Sequence, residues 1–260
     1  MTSSERIKPQ INHSPLTHVK RVVAIASGKG GVGKSTTTVN LAHALRAKGK
    51  NVGILDADIY GPSIPRMLNM ETRLQPEMVE GQMVPPVSHG IKAMSMALIM
   101  GDQAAILRAP MITKALVQML RLTRWGTAEA PLDYLFIDMP PGTGDINLSL
   151  AQNVKLDGAI IVTTPQEVAV MDARKCLITF QKLNVPILGV IENMSYFETA
   201  GERHALFGEG GGKRLAQEFS ANFLGEIPIN PVVRAGADEG ALPDATALAP
   251  YDPIAKVLMI

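Results

Sequence analysis

A glycine-rich stretch near the start of the chain, Gly28–Ser35, constrains the fold more than any other feature of the sequence. It reads GKGGVGKS and therefore fits the pattern G-x-x-x-x-G-K-[ST]. The β-branched run Val22–Ala26 precedes it, and a predicted helix, Ser35–Lys48, follows it. A strand, a glycine-rich loop and a helix in this order open a β-α-β unit, in which helices cover a parallel sheet. The stretch therefore predicts an α/β fold.

The rest of the sequence continues this alternation. Apolar runs typical of strands buried on both faces occur at Val22–Ala26, Val52–Leu55, Tyr134–Ile137, Ala159–Val162, Ile187–Ile191 and Phe223–Glu226. Helical stretches followed by Gly, Pro or Asn occur at Ser35–Lys48, Met111–Leu122, Val168–Leu183 and Gly212–Phe219. Two stretches without a clear period, Glu71–Gly90 and Glu198–Gly212, are predicted to be long loops. We expect one doubly wound, mostly parallel sheet with helices on both faces.

The glycine-rich stretch carries a specific chemistry, the binding of a nucleoside triphosphate. Its glycines allow backbone N–H groups to turn towards a polyphosphate, and the following helix directs its positive dipole end at the same anion. Lys34 would lie along the β- and γ-phosphates, and the Ser35 hydroxyl would bind Mg²⁺. We therefore predict ATP and Mg²⁺ as cofactors, with nucleotide contacts from Gly28, Lys29, Gly30, Gly31, Val32, Gly33, Lys34, Ser35 and Thr36.

Carboxylates follow two of the predicted strands. Asp56 and Asp58 come directly after Val52–Leu55, and Asp138 follows Tyr134–Ile137. Ligands of open α/β sheets bind at the carboxyl ends of parallel strands. An apolar strand that ends in Asp is the Walker B arrangement, in which the carboxylate holds a magnesium-bound water. We expect Asp138 to lie at Mg²⁺ and the glycine-containing turn after it to respond to the γ-phosphate.

The lysine inside the loop, Lys29, makes the stretch resemble the deviant Walker A loop of the ATPases that include nitrogenase iron protein and the cell-division and plasmid-partition ATPases. The resemblance implies that Lys29 reaches across a homodimer and neutralises charge on the partner's transferred phosphoryl group. It implies that Asp58 positions the attacking water and that Asp56 supports Mg²⁺. It also implies that Asn193 hydrogen-bonds the adenine edge and that Pro228 lies on the other side of the base. These assignments give Lys29, Lys34 and Asp58 as catalytic residues and Ser35, Asp56 and Asp138 as magnesium residues.

Further stretches narrow the resemblance to one family. Asp56–Ser63 reads DADIYGPS, Asp138–Asp145 reads DMPPGTGD, and Phe207–Gly212 reads FGEGGG. Together with the phosphate loop they resemble the Mrp family, P-loop ATPases also known as the ApbC or nucleotide-binding-protein type and described as iron–sulfur cluster carriers. The resemblance extends from about Val19 to Gly240. It implies a slowly hydrolysing dimeric ATPase switch that transfers [4Fe–4S] clusters to apoprotein clients.

One feature of that family is missing here. Members carry a C-x-x-C shortly after the Ser-Tyr-Phe that is here Ser195–Phe197, so that a dimer supplies a cluster with its thiolates. This chain continues with ETAGERH, and its one cysteine, Cys176, falls within a predicted helix. No iron–sulfur ligand is therefore identified. In one interpretation the protein still serves clusters, beside a cysteine-bearing partner or through the substitutes Glu198, Glu202 and His204. In the other, only the nucleotide-driven switch remains, acting on a different client.

Length and composition favour one packed domain. The 260 residues are 46% hydrophobic and 19% charged, proportions that exclude a disordered chain or a coiled coil. We predict a flexible N-terminal arm over residues 1–19 and a P-loop ATPase domain over residues 20–260. The net charge of +1 supplies no field that would hold the chain on nucleic acid or an anionic membrane. A single cysteine and the lack of an apolar run of membrane-spanning length indicate a cytoplasmic location.

Two other classes of protein share parts of this pattern. A membrane-associated positioning ATPase of the division or partition type needs a basic amphipathic terminal helix, whereas the segment Pro253–Ile260 offers one lysine. A nucleotide-dependent assembly scaffold would bind ATP without hydrolysing it. Both remain as alternatives to the hydrolysing switch.

Overall fold

The structure, a computed structural model, describes residues 15–70, 76–101 and 109–260. Most of the predicted N-terminal arm, residues 1–14, lies outside these ranges. Among the described residues, no helix combines the length and the apolar content that crossing a bilayer requires.

Strands and helices alternate along most of the described chain. The strands are β1 Val19–Ala26, β2 Val52–Asp56, β3 Glu77–Val79, β4 Gln82–Val84, β5 Val87–Ser88, β6 Ile91–Ser95, β7 Leu132–Asp138, β8 Gly158–Thr163, β9 Ile187–Thr199, β10 Glu202–His204 and β11 Phe223–Ile229. The helices are α1 Lys34–Ala47, α2 Ile64–Met67, α3 Met96–Met100, α4 Ala109–Leu122, α5 Asp145–Asn153, α6 Glu167–Lys182, α7 Gly211–Glu218, α8 Pro231–Glu239, α9 Ala245–Leu248 and α10 Asp252–Leu258.

One nine-stranded sheet forms the centre of the molecule. Its order runs β5-β6-β2-β7-β1-β8-β9, with β10 and β11 both paired to β9. The strands from β6 to β9 and β11 run parallel, whereas β5 and β10 are antiparallel to their neighbours. The remaining strands, β3 and β4, form a separate hairpin. The predicted doubly wound, mostly parallel sheet is confirmed.

Helices cover both faces of this sheet because its strands are apolar on both sides. Every residue of β8 is buried, as are Val22–Ala26 of β1. Leu116 of α4 and Leu177 of α6 pack into the core on one face. Leu41 of α1 and Ile254 of α10 pack into the core on the other. Burial on both faces fixes the sheet and leaves its carboxyl edge as the place for loops.

The predicted strands and helices are all present, most with ends shifted by a few residues. The largest shift is in the strand predicted at Ile187–Ile191, which continues to Thr199 because its later part pairs with β10. The prediction of a loop at Glu198–Gly212 is therefore wrong in its first half. The prediction of a loop at Glu71–Gly90 is also wrong, because this stretch contains β3, β4 and β5, while residues 71–75 lie outside the described ranges. These strands are short and largely exposed, so their sequences show no regular alternation of buried and exposed residues.

One strand of the main sheet, β6, has no counterpart in the sequence prediction. Polar residues interrupt its apolar run, and the structure gives each of them a partner. The Lys92 ammonium donates to the Trp125 carbonyl oxygen at 2.6 Å, and the Ser95 hydroxyl donates to Asp56 Oδ2 at 3.3 Å. These bonds join residues far apart in the chain, so the local sequence does not reveal them.

The C-terminal helix α10 is bonded into the sheet. The Arg21 guanidinium and the Tyr134 hydroxyl each donate to the Leu258 carbonyl oxygen at 2.7 Å. Ile254 and Leu258 are buried. One face of α10 therefore belongs to the core, although the sequence analysis predicted no helix here.

Candidate nucleotide-binding site

Three neighbouring strand ends bring the predicted phosphate-binding residues together. β1 leads into the glycine-rich loop, β2 leads to Asp58, and β7 ends at Asp138. Because β7 lies between β1 and β2, Asp138 is in register with Ile25 on one side and with Asp56 on the other. The loop and the carboxylates therefore share one edge of the sheet.

Two glycines allow the loop to lie close against its neighbours. Gly33, which caps α1, has φ of +81°, and a Cβ there would lie 2.1 Å from Asn193 Nδ2. A Cβ at Gly28 would lie 2.1 Å from the backbone carbonyl carbon of Asp172 in α6. Only glycine permits these approaches, because a Cβ would collide with the neighbouring atoms. The loop therefore packs against β9 and α6, and the start of α1 faces the loop.

Asp138 is the centre of the polar network below the loop. Lys34 Nζ lies 2.6 Å from Asp138 Oδ2 and 3.8 Å from Asp58 Oδ2. The Ser35 hydroxyl donates to Asp138 Oδ2 at 2.6 Å, and the Thr38 hydroxyl donates to Asp138 Oδ1 at 2.7 Å. Asp138 is 0% exposed, and a carboxylate so buried needs partners of this kind. The predicted residues Lys34, Ser35 and Asp138 are therefore in direct contact.

The environment of the other two carboxyl groups disfavours their charge. Asp56 is buried, and the backbone N–H of Asp58 donates to its Oδ1 at 3.1 Å. Burial and then the charge of Asp138 raise the pKa of Asp56 to about 8. Burial also raises the pKa of Asp58, although the nearby Lys34 ammonium opposes this shift. A cation placed beside these groups would favour their ionised forms.

The predicted magnesium residues supply the atoms that this ion prefers. Ser35, Asp56 and Asp138 offer hydroxyl and carboxylate oxygens at one edge of the sheet. Mg²⁺ is usually held by one or two such groups together with waters and substrate phosphates. Among the described residues, no three His, Cys, Asp or Glu side chains form a metal-binding group of their own. The residues therefore fit an Mg²⁺ that nucleotide phosphates help to hold.

A cavity of about 380 Å³ adjoins the loop on the side of β9. Gly33 and Thr36 line it from the loop and α1, and Asn193 and Pro228 line it from β9 and β11. The Asn193 amide nitrogen donates to the Val32 carbonyl oxygen at 2.8 Å, so this side chain also joins β9 to the loop. A cavity of this size beside a phosphate loop suits a base and ribose. The contacts of Asn193 and Pro228 with adenine remain predictions.

Lys29 lies apart from this network. It is partly buried, and its backbone carbonyl oxygen accepts a hydrogen bond from the Ser27 hydroxyl at 3.0 Å. Its ammonium group has no hydrogen bond or ion pair with another residue in the described part of the chain. The role of Lys29 in a partner's site remains a prediction.

The sequence did not predict two residues of the network, Thr38 and Asn147. Thr38 follows Lys34 by one helical turn, and this spacing is a signal that places both on the same face of α1. Asn147 of α5 donates to the Gly142 carbonyl oxygen at 2.6 Å, and the Gly142 N–H donates to the Ser27 carbonyl oxygen at 2.9 Å. No local pattern marks Asn147, which connects the turn after Asp138 to the phosphate loop.

The stretch in which the sequence lacks C-x-x-C forms an exposed hairpin of β9 and β10. Glu198, Glu202 and His204 are all exposed. Arg203 lies over the ring of Tyr196, 4.1 Å from its centroid. The hairpin therefore presents oxygen and imidazole groups on its surface and contains no thiol.

Cys176 offers no replacement for the missing ligands. It lies in α6 and is 2% exposed, and burial raises the pKa of its thiol to about 12. A thiol must be deprotonated and accessible to bind iron. The residues of this chain therefore do not fit an iron–sulfur cluster held by the chain itself.

Comparison with known proteins identifies a family and relatives. The model of the family described as "ParA: NUBPL iron-transfer P-loop NTPase" matches residues 18–259. The iron–sulfur cluster carrier protein of Escherichia coli K12 is 48% identical over 233 residues, which make up 88% of this chain and 62% of the relative. The mouse iron–sulfur cluster transfer protein NUBPL is 45% identical over 87% of this chain and 71% of its own length. The chain therefore spans less than two thirds of the Escherichia coli relative.

Solved structures show the same fold. The nucleotide-binding protein of Archaeoglobus fulgidus, in complex with ADP and with cobalt found in it, has a TM-score of 0.76 and 38% identity. The match covers 86% of this chain and 87% of that one. The cell division ATPase MinD of Pyrococcus furiosus has a TM-score of 0.68 at 20% identity, over 92% of this chain and 98% of that one. At that identity the likeness concerns the fold alone.

Proposed function

The chain belongs to the NUBPL iron-transfer P-loop NTPase family, and on that premise we propose that it is an ATP-binding, slowly hydrolysing dimeric switch in iron–sulfur cluster transfer. The membership confirms the resemblance to the Mrp family. The observation that carries the proposal is the contact of Lys34 and Ser35 with Asp138 under a glycine-rich loop that adjoins a cavity of about 380 Å³.

In this proposal, ATP binding rearranges the charges around Asp138. Lys34 leaves the carboxylate that it now contacts at 2.6 Å and turns to the β- and γ-phosphates. Ser35 and Asp138 would hold the Mg²⁺ that accompanies the nucleotide, and the ion would supply positive charge beside Asp138 in place of the Lys34 ammonium. Asp58, which lies at the mouth of the same network, positions the water that attacks the γ-phosphate. The buried carboxylate is thus paired with a cation both before and after nucleotide binds.

A homodimer would complete each site with the partner's Lys29. Support comes from the apolar side chains exposed at this edge of the sheet, Tyr60 at 63%, Val168 at 65% and Met171 at 50%. The last two lie in the first turns of α6, whose backbone touches the phosphate loop at Gly28. Exposed apolar groups around a charged site are typical of an interface between proteins. Hydrolysis would remove the γ-phosphate that Lys29 contacts and allow the dimer to open.

In this proposal, other proteins hold the iron–sulfur cluster that is transferred. Relatives are named cluster carrier and cluster transfer proteins, whereas the one cysteine of this chain is buried. We therefore assign the thiolates to a cysteine-bearing partner or to the apoprotein client, and the nucleotide-driven change of shape to this chain. A cytoplasmic location suits a protein whose thiol stays reduced. Neither nucleic acid nor a membrane is needed as a partner.

Sedimentation of the purified protein, combined with phosphate release, tests the switch. We expect monomers in Mg·ADP, dimers in Mg·ATP, and a hydrolysis rate per chain that rises with protein concentration because the completing charge comes from the partner. A monomer in Mg·ATP with a rate independent of concentration would contradict the dimeric switch. Dimers without phosphate release would instead identify a non-hydrolysing scaffold.

A further inference from the structure

A buried carboxylate outside the phosphate site, that of Glu192, joins two segments far apart in the chain. Glu192 lies in β9 and is 1% exposed. Its Oε2 accepts the N–H of Gly212 at 2.5 Å, and its Oε1 accepts the N–H of Gly210 at 3.3 Å. The Ser195 hydroxyl lies 3.1 Å from the same Oε1. These donors come from β9 itself and from the start of α7.

The surroundings of Glu192 explain how a charge is tolerated in this position. No Lys, Arg or His forms an ion pair with it within the described residues. Its compensation comes from backbone N–H groups at the first turn of α7, where the helix dipole favours an anion. A Cβ at Gly212 would lie 3.0 Å from Glu192 Cβ, so α7 approaches β9 closely here. The carboxylate therefore fixes where α7 begins.

The segment that Glu192 fixes also reaches the nucleotide cavity. Between Ser195 and Gly210 the chain completes β9, turns into β10 to form the exposed hairpin, and returns to the start of α7. On the return, Phe207 lines the cavity of about 380 Å³ together with Asn193, the residue next to Glu192. Phe207 is 37% exposed, so one side of its ring faces solvent or the cavity. The bonds from Glu192 to Gly210 and Gly212 attach the chain to β9 directly after this segment.

We propose that Glu192 is a positioning residue for the nucleotide base: its carboxylate holds the segment Ala205–Gly210 so that Phe207 forms one wall of the base cavity. The inference rests on the proposed function, because it takes nucleotide at the phosphate loop as its premise. Glu192 acts through this segment. It does not bond to the phosphate-binding residues itself, although its neighbour Asn193 does. Its loss therefore weakens contacts with the base and leaves contacts with the phosphates in place.

Glu192→Gln tests this assignment, because the new amide keeps the shape, carries no charge and has one oxygen to accept the two glycine N–H groups. We expect the affinity for Mg·ATP to fall about tenfold, as for the loss of a charge-assisted hydrogen bond. The affinity for magnesium tripolyphosphate, which lacks a base, should change less than twofold. Both are measured by competition against a fluorescent ATP analogue. Amide hydrogen exchange should rise in residues 205–212 and stay unchanged in residues 28–35.

Two further variants keep the test decisive. Phe207→Ala, at a partly exposed position, should show the same loss for ATP alone without disturbing the fold. Glu226→Gln, at an exposed position paired in register with Glu192, should change neither affinity. Equal losses for both ligands in Glu192→Gln, or no loss in either that variant or Phe207→Ala, would overturn the proposal. Failure of the wild-type protein to bind any ATP would instead defeat the proposed function.

Discussion

At the carboxyl edge of the sheet, the phosphate loop is bonded into the core, whereas the hairpin of β9 and β10 extends into solvent. Lys34 is 6% exposed and shares the buried Asp138 with two hydroxyl groups, while every residue of Glu202–His204 is exposed. The difference shows where this fold tolerates change. A substitution in the loop leaves buried charges without partners, but a substitution in the hairpin breaks few contacts. The nucleotide site and the missing cluster ligands are therefore compatible in one chain.

The largest effect should come from Lys29→Ala. We expect the rate of ATP hydrolysis to fall by about 10³- to 10⁵-fold, as when a charge supplied by a partner is removed. ATP affinity should stay within a few-fold of the wild type, because the Lys29 ammonium is not part of the bonded network around Asp138. Single-turnover hydrolysis and calorimetric titration measure the two quantities separately.

Lys182→Ala is the matched control for that experiment. Lys182 is exposed at the far end of α6. Its removal therefore changes the net charge by the same amount as Lys29→Ala and does not affect the nucleotide site. Its hydrolysis rate should equal that of the wild type. The role in the partner's site would be refuted if Lys29→Ala and Lys34→Ala lost ATP binding to the same extent.

An intermediate effect should come from Gly33→Ala. Alanine is strained at φ of +81°, and its Cβ would collide with the Asn193 amide that joins β9 to the loop. We expect the free energy of unfolding to fall by roughly 1–3 kcal/mol in urea denaturation without nucleotide. Gly30→Ala is the control, because a Cβ at Gly30 meets nothing within 4 Å. Equal destabilisation by both variants would show that the close approach at Gly33 does not matter.

The smallest effect should come from the hairpin. Alanine at Glu198, Glu202 and His204 together should change the free energy of unfolding by less than about 0.5 kcal/mol per position and leave ATP affinity unchanged. Anaerobic addition of iron and sulfide should give no stoichiometric chromophore in the wild type or in this variant. A stoichiometric chromophore that the wild type forms and the triple variant loses would identify the hairpin as a cluster site.

The parts of the site that the sequence predicts are those in which local pattern and strand position coincide. Lys34 and Ser35 stand in a motif between a strand and a helix, and Asp138 stands at the end of an apolar strand. Parallel strands bring such ends together without further information. The sheet could be predicted for the same reason, since β1, β2, β7 and β8 are apolar runs.

What the sequence did not predict depends on bonds between distant residues. Two hydrogen bonds, from Gly212 to Glu192 and from Lys92 to Trp125, each join residues that are far apart in the sequence. The strand β6 and the C-terminal helix α10 were missed because tertiary partners, rather than a local period, hold them. Asn147 was missed because its bond to Gly142 depends on the shape of a turn.

Calorimetric titration of Mg·ATP into the wild-type protein and into Lys34→Ala tests whether this chain binds nucleotide at the phosphate loop. We expect saturable binding with one nucleotide per chain in the wild type and loss of that binding in the variant, because in the proposed function Lys34 moves from Asp138 to the phosphates. Circular dichroism would show that the variant is folded. An absence of binding heat in the wild type, or equal affinity in a folded Lys34→Ala protein, would show that nucleotide is not bound through Lys34.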